Sequence, residues 1–203
     1  MADLTDEIAA SAAQWVVEEG LEYGPAKRRA LKVLGLPPRT PMPNNEQVEA
    51  QVREYIELFC ADSQPEELLA LRRHALMWMT RLAEFRPYLG GAVWHGTATR
   101  LSDIYLQLFC DDAKSCEIDL INKGVAFEAR SVNGLHGEPV EALSIHSFCE
   151  ELGEEIGVHL LVNDFDDVRG ALKADGQGRS PRGNGEAVKR LIEARGWYEA
   201  RRQ

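Results

Sequence analysis

An α+β protein is the fold class the sequence predicts, with a helical N-terminal layer followed by a small mixed β-sheet flanked by helices. Three observations predict it. Apolar residues recur at spacings of three and four up to Pro87, the period of helices with one buried face. After Pro87 short apolar runs separated by glycines and acids take over, the pattern of strands and turns. The chain has 203 residues, 44% hydrophobic and 28% charged, enough for one core with an appendage and typical of a globular chain.

In chain order, Ile8, Ala12, Trp15 and Val16 form the first apolar stripe. LPPRTPMPNN follows as a proline-rich connector. Val48, Val52, Tyr55, Ile56 and Phe59 form the second stripe, and Asn44 or Asn45 ahead of Glu46 and Gln47 supplies its start signal. The next helix begins near Ser63, with Glu66 three residues on as a capping-box partner and Pro65 in the first turn. It runs to Arg86 and buries Leu68, Leu71, Ala75, Met79 and Leu82, so Met77, Trp78 and Met79 read as packing. Strands are expected at 91–95, 104–110, 125–130, 142–148 and 158–163. A helix fills 112–122 and ends at Gly124, and two more cover 166–173 and 186–199, separated by the loop ADGQGRSPRGNG. Three regions result: 1–87 helical, 88–175 α/β, and 176–203 a basic loop and helix.

Charge and cysteine usage narrow the function classes. The net charge of −10 disfavours binding a polyanion through the whole surface. The last segment, Gly170 to Gln203, nevertheless holds eight basic and four acidic residues, a positive end on an acidic body. The acidic N-terminus lacks a secretory pattern and no apolar run reaches bilayer length, so a cytoplasmic chain with no membrane partner is expected. Cys60, Cys110, Cys116 and Cys149 then stay reduced, and their spacing lacks a zinc knuckle. No phosphate-loop, serine-elbow or zincin motif occurs. NDFDD at 163–167 lacks the glycine and distal glutamate of a calcium loop and reads as helix capping.

The informative segment is YLGGAVWHGTATRLSDIYLQLFCDD, Tyr88 to Asp112. Two glycines let a backbone approach phosphates closely, and an acid opening a strand can hold a metal ion. The run resembles the nucleotide-binding signature of the nucleotidyltransferase superfamily, in which a glycine pair, an arginine and an Asp-x-Asp strand follow one another. Gly90, Gly91 and Val93 match the opening, Arg100 the later arginine, and Asp103 the first acid. In a second register Gly96 and Thr97 replace the Gly-Ser of minimal transferases. The resemblance covers about 25 residues directly and implies a nucleotidyltransferase-like fold that binds a nucleoside triphosphate. Gly90, Gly91, Gly96, Thr97 and Arg100 would bind the nucleotide. Asp103 and Glu128 would be catalytic and hold magnesium, with Asp119 competing for Glu128's role.

The sequence departs from the signature where the second acid should stand, at Tyr105. The resemblance therefore leaves three outcomes: a one-metal site, a site with other acids, or an inactive nucleotide- or protein-binding module. The acceptor is unspecified. Among candidate bases, His95 is favoured over His136, while His146 and His159 sit in strand patterns and read as packed. A further reading makes the N-terminal helices the surface of a homodimer.

Overall fold

The computed structural model describes residues 4–135, 137–174 and 178–200, with the side chains of 195–200 set aside. His136 lies outside the described residues. The chain divides into two compact units, Met1–Leu68 with Thr97–Leu101, and Leu69–Gly96 with Ser102–Gln203. The division thus falls inside a helix rather than at Pro87.

The first unit is helical. Helices α1 (Leu4–Glu19), α2 (Tyr23–Val33) and α3 (Asn45–Phe59) bury Ile8, Ala9, Ala12, Ala13, Ala26, Val48 and Val52. Small alanines on α1 and α2 permit close helix approach. Trp15 and Val16 pack at the margin of this core rather than within it, and Phe59 is exposed. Asn44 caps α3: its side chain accepts from the Gln47 N–H at 2.8 Å, and Gln47 accepts from the Asn44 N–H at 2.9 Å. The excursion Thr97–Leu101 completes this unit. Gln64 at the start of α4 (Gln64–Arg81) donates to the Ala98 carbonyl at 2.7 Å, and the Arg100 N–H donates to Glu67 at 2.9 Å.

The second unit is built on a five-stranded mixed sheet of order β1-β2-β5-β4-β3. From the rest of α4 the chain passes a short 3-10 turn, Ala83–Phe85, into β1 (Tyr88–Gly90) and the short α5 (Gly91–His95). The predicted strand at 91–95 is therefore a helical turn. Gly91 at φ 65° and Gly96 at φ 84° bracket it, a left-handed entry and exit that a strand does not have. Next come β2 (Ile104–Cys110), α6 (Ala113–Asn122), β3 (Glu128–Asn133), β4 (Pro139–Cys149) and β5 (Glu154–Asp164). β2 has its predicted limits and Asp112 caps α6. β3 begins three residues later than expected, because Val125 is drawn into the close of α6 by bonding to the Leu120 carbonyl at 2.9 Å. A 3-10 turn at Phe165–Asp167, α7 (Val168–Ala171) and α8 (Gly185–Ala200) follow.

One face of the sheet is apolar and covered. Ile104, Leu106 and Leu108 of β2 stand beside Val158, Leu160 and Val162 of β5, which stand beside Leu143 and Ile145 of β4, all buried. Each such side chain contributes roughly 1.5–3 kcal/mol through burial. α4 covers this face: the His74 ring and the Trp78 indole N–H both meet the Ser147 hydroxyl at 2.9 Å. These bonds tie the later turns of α4 to β4.

The edge of the sheet beyond β1 is closed by Ser180–Asn184, which the sequence presents as loop. Leu89 and Gly183 exchange backbone bonds of 2.8 and 2.9 Å, and the Trp94 indole donates to the Ser180 carbonyl at 2.8 Å. Gly183 is required there, since a Cβ would stand 2.2 Å from the Trp94 ring.

Two stability tests follow from these contacts. Burial holds the His74 imidazole below its ordinary value of 6.5. The unfolded chain therefore takes up a proton first, and stability present above about pH 6.5 is lost as pH falls toward the lower folded value. Melting temperature should fall between about pH 7 and about pH 5, and the fall should be smaller in His74→Gln. Asn44→Ala should cost about 1 kcal/mol of stability in denaturant unfolding.

Candidate functional site

The opposite face of the sheet is mixed, with Phe109, Leu161 and Ala142 on it, and carries a polar rung at the end where β2 begins. Register places Gly90 of β1 beside Tyr105 of β2, Tyr105 beside His159 of β5, His159 beside Ser144 of β4, and Ser144 beside Glu128 of β3. Directly opposed residues share a face, so these five form one rung across the sheet. The apolar register of the covered face forces this arrangement, because alternate side chains on each strand point the other way.

Asp103 precedes β2 by one residue and belongs to the same face. Its carboxylate lies over Gly157 of β5, where an added Cβ would come within 2.5 Å of Oδ1. That space lets Oδ2 reach Nε2 of His159 at 3.0 Å. On the other side of the ring, Nδ1 meets the Ser144 hydroxyl at 2.9 Å. A carboxylate can only accept, so in the neutral imidazole Nε2 carries the proton and Nδ1 accepts from Ser144. The result is a hydroxyl, imidazole and carboxylate in series. The His159 side chain is 14% exposed and that of Asp103 46%, so solutes reach the chain from the Asp103 end. Tyr105 lies against the ring, with centroids 4.9 Å apart.

At the β1 end, Gly90 is buried beneath Arg182, whose Cβ and Nε lie 3.8 and 3.9 Å from the position of a Gly90 Cβ. The Arg182 guanidinium donates to the Ala171 carbonyl, while its Nε is buried without a hydrogen-bond partner. No described carboxylate pairs with it. Burial pulls its pKa below the ordinary value. A desolvated cation without a counter-charge is unfavourable, and an anion over the glycine turn would relieve it.

The predicted site residues separate. Gly90, Gly91 and Asp103 come to one end of this face, with Gly91 exposed and 3.7 Å from the Tyr105 ring across its missing Cβ. Gly96 is the left-handed C-cap of α5. Thr97 and Arg100 belong to the excursion that packs within the first unit, where Thr97 is 3% exposed. Glu128 shares the rung but stands on the far edge strand, three strand spacings or about 14 Å from β2. Its carboxylate and that of Asp103 do not converge on one ion. Asp119 lies on α6, bonded to Lys123 at 2.5 Å. His95 ends α5, and His146 stands exposed opposite Gly157. The base that joins Asp103 is His159, which the sequence reading assigned to packing. The alternation His159, Leu161, Asn163 against Val158, Leu160, Val162 was the available signal that His159 faces away from the core.

The fold is α+β, and the face that carries the rung places Asp103 at the head of the central strand β2. No family model matches the chain, and no curated protein matches its sequence. Similar solved structures include the Cid1 poly(U) polymerase with MgGTP bound, 16% identical over 54% of this chain and 38% of the other, at a TM-score of 0.36. Cid1 with the UTP analogue UMPNPP is 18% identical over 55% and 36%, also at 0.36. A structure of a cytoplasmic RNA terminal U-transferase is 17% identical over 54% and 36%, again at 0.36. The chain thus matches little more than a third of each of these proteins. These likenesses concern part of the topology and say nothing of side-chain chemistry.

Gly157→Ala tests the geometry. The added methyl should turn the Asp103 carboxylate aside at a stability cost within about 1 kcal/mol and release Nε2 of His159. Nitrogen NMR of the ring should then show a mixture of tautomers where the wild type shows Nε2–H. An unchanged spectrum would contradict the contact.

Proposed function

We propose that this protein binds a nucleoside triphosphate on the polar rung of its sheet, in a nucleotidyltransferase-like fold that has exchanged metal-binding acids for a hydrogen-bonded Asp103–His159 pair. The observation that carries the reading is the placement of the glycine pair and Arg182 at one end of a rung whose next positions are Tyr105 and His159. Glycine backbone and a desolvated guanidinium suit phosphate oxygens. The resemblance of Gly90, Gly91 and Asp103 to the nucleotidyltransferase signature supports the same ligand.

The side chains present do not fit a two-metal centre. Asp103 offers one carboxylate, with Oδ2 already accepting from His159, and Glu128 is three strands away. Among the described residues no group of three or more His, Cys, Asp or Glu is placed to hold a metal ion. The triphosphate would enter as its magnesium salt, a substrate rather than a ligand of resident protein metal. Tyr105 would then floor the site, its ring under the phosphates.

Thermal unfolding with each ribonucleoside triphosphate tests the reading. A ligand at about 100 times its dissociation constant should add about 2.7 kcal/mol. The shift should survive Asp103→Asn and be lost in Gly91→Val, where a branched side chain meets both a left-handed backbone and Tyr105. Absence of a shift with all four nucleotides refutes the proposal. A shift that needs both magnesium and Asp103 would instead return the site to metal-dependent transfer.

A further inference from the structure

We infer that the sheet binds a single divalent transition-metal ion of the zinc class over Gly157, with Asp103, His159 and His146 as its ligands. The inference does not depend on the triphosphate reading above, and all its residues lie in the sheet unit. Four observations carry it.

The first is a gap in the sheet surface. Gly157 has no side chain, and the Asp103 carboxylate leans into the space, with Oδ1 2.5 Å from the position of a Gly157 Cβ. On its other side Gly157 is directly opposed to His146 of β4. Asp103 and His146 therefore face one another across the glycine, their backbones two strand spacings or about 10 Å apart, a span that a carboxylate and an imidazole close over one ion. His146 is also two residues along β4 from Ser144, which opposes His159, so the two imidazoles belong to diagonal neighbours roughly 7–8 Å apart.

The second is the pair already in contact. Asp103 Oδ2 and His159 Nε2 stand 3.0 Å apart. Donor atoms each about 2.0–2.2 Å from one zinc ion stand roughly 3.0–3.5 Å from each other, so a contact that holds a proton also has the span of two adjacent ligands. His146 is the third ligand. It is exposed, and among the described residues no hydrogen bond or ion pair ties its ring. The three side chains as they stand do not enclose an ion, and closing the group takes a turn of the His146 ring toward the glycine.

The third observation is the support behind His159. A metal-bound imidazole donates its other ring N–H to an outer partner. The Ser144 hydroxyl lies 2.9 Å from Nδ1 and, being donor and acceptor in one group, serves either tautomer. When an ion takes Nε2, the ring proton moves to Nδ1 and Ser144 changes from donating to accepting. The fourth is the donor set. Two nitrogens and one oxygen suit zinc and its first-row neighbours, whereas magnesium takes oxygen ligands. Three protein ligands leave a fourth position open to solvent. Glu155, next on the same side of β5 as Gly157, adds negative charge that favours a cation there.

The test titrates zinc and cobalt(II), without nucleotide, into the full chain after treatment with a chelator, and reads calorimetry, melting temperature and nitrogen NMR of the histidine rings. The expected result is one zinc ion bound per chain, a rise in melting temperature and a change of His159 from the Nε2–H to the Nδ1–H tautomer. Cobalt(II) should give visible d–d bands without the near-ultraviolet band of a thiolate ligand, which separates this site from the four cysteines. Magnesium at the same concentration should do none of this. His146→Ala and Asp103→Asn, both at exposed positions, should each weaken zinc binding by at least about 10-fold, and Ser144→Ala, which removes the outer partner, by about 10-fold. Melting temperature without metal identifies any variant that fails to fold. Gly157→Ala gives a second route to the same loss, since its methyl enters the space of the ion. No stabilisation by zinc, an unchanged His159 tautomer, or an affinity unaltered in either folded ligand variant overturns the inference, and none of these outcomes bears on triphosphate binding.

Discussion

The parallel pairing of β2 with β5 is the constraint on which the rest of the sheet unit depends. Parallel strands bring their N-terminal ends side by side, which sets Asp103 against Gly157 and Tyr105 against His159. The register is held by the covered face, where Ile104, Leu106 and Leu108 match Val158, Leu160 and Val162. A slip of one residue would send His159 into that apolar layer and bring Val158 or Leu160 out of it. The energy that builds the core therefore also positions the polar chain on the other face.

Two small devices then shape the polar end. Gly157 removes the one side chain that would hold Asp103 away from His159. Ser180–Asn184 pairs with β1, whose three residues would otherwise leave an open edge, and seats Arg182 on Gly90. In a chain with a net charge of −10 a desolvated guanidinium, bonded to the Ala171 carbonyl, thus lies beside a glycine turn with no described carboxylate on it. The covered face carries its own polar contact, the Ser147 hydroxyl shared by His74 and Trp78, which ties α4 to β4 where the core gives way to polar residues.

Much of the fold was legible because local chemistry agrees with it. Asn44 and Gln47 spell a capping box and form one. Asp112 opens α6 and Gly124 follows its end at φ 67°. The alternation in IYLQLFC carried a strand with its observed limits. GAVWH misled because five residues with two apolar side chains fit either period, and only the glycine dihedrals decide. Of the candidate site residues, Gly90, Gly91 and Asp103 share a short segment of the sequence, and the sheet brings them to one end of the same face. Glu128 is the acid expected on a following strand, yet the crossover through α6 carries that strand to the far edge. β5, the last of the five strands in the chain but only two places from β1 in the sheet, takes the position beside β2 instead.

By itself the sequence determined the class of the fold, the helices and their caps, the apolar alternation of the central strands and the glycine and aspartate that mark one end of the sheet. These are consequences of side-chain period and local hydrogen bonding, which act over a few residues. The tertiary structure alone decided that His159 and Ser144 join Asp103, that Arg182 covers Gly90, and that Glu128 stands apart. Those pairings span 56, 15 and 92 residues of chain, respectively, for Asp103 to His159, Ser144 to His159 and Gly90 to Arg182. Strand order sets them, and strand order is chosen by which apolar faces can be buried together, a property of the whole sheet rather than of any segment.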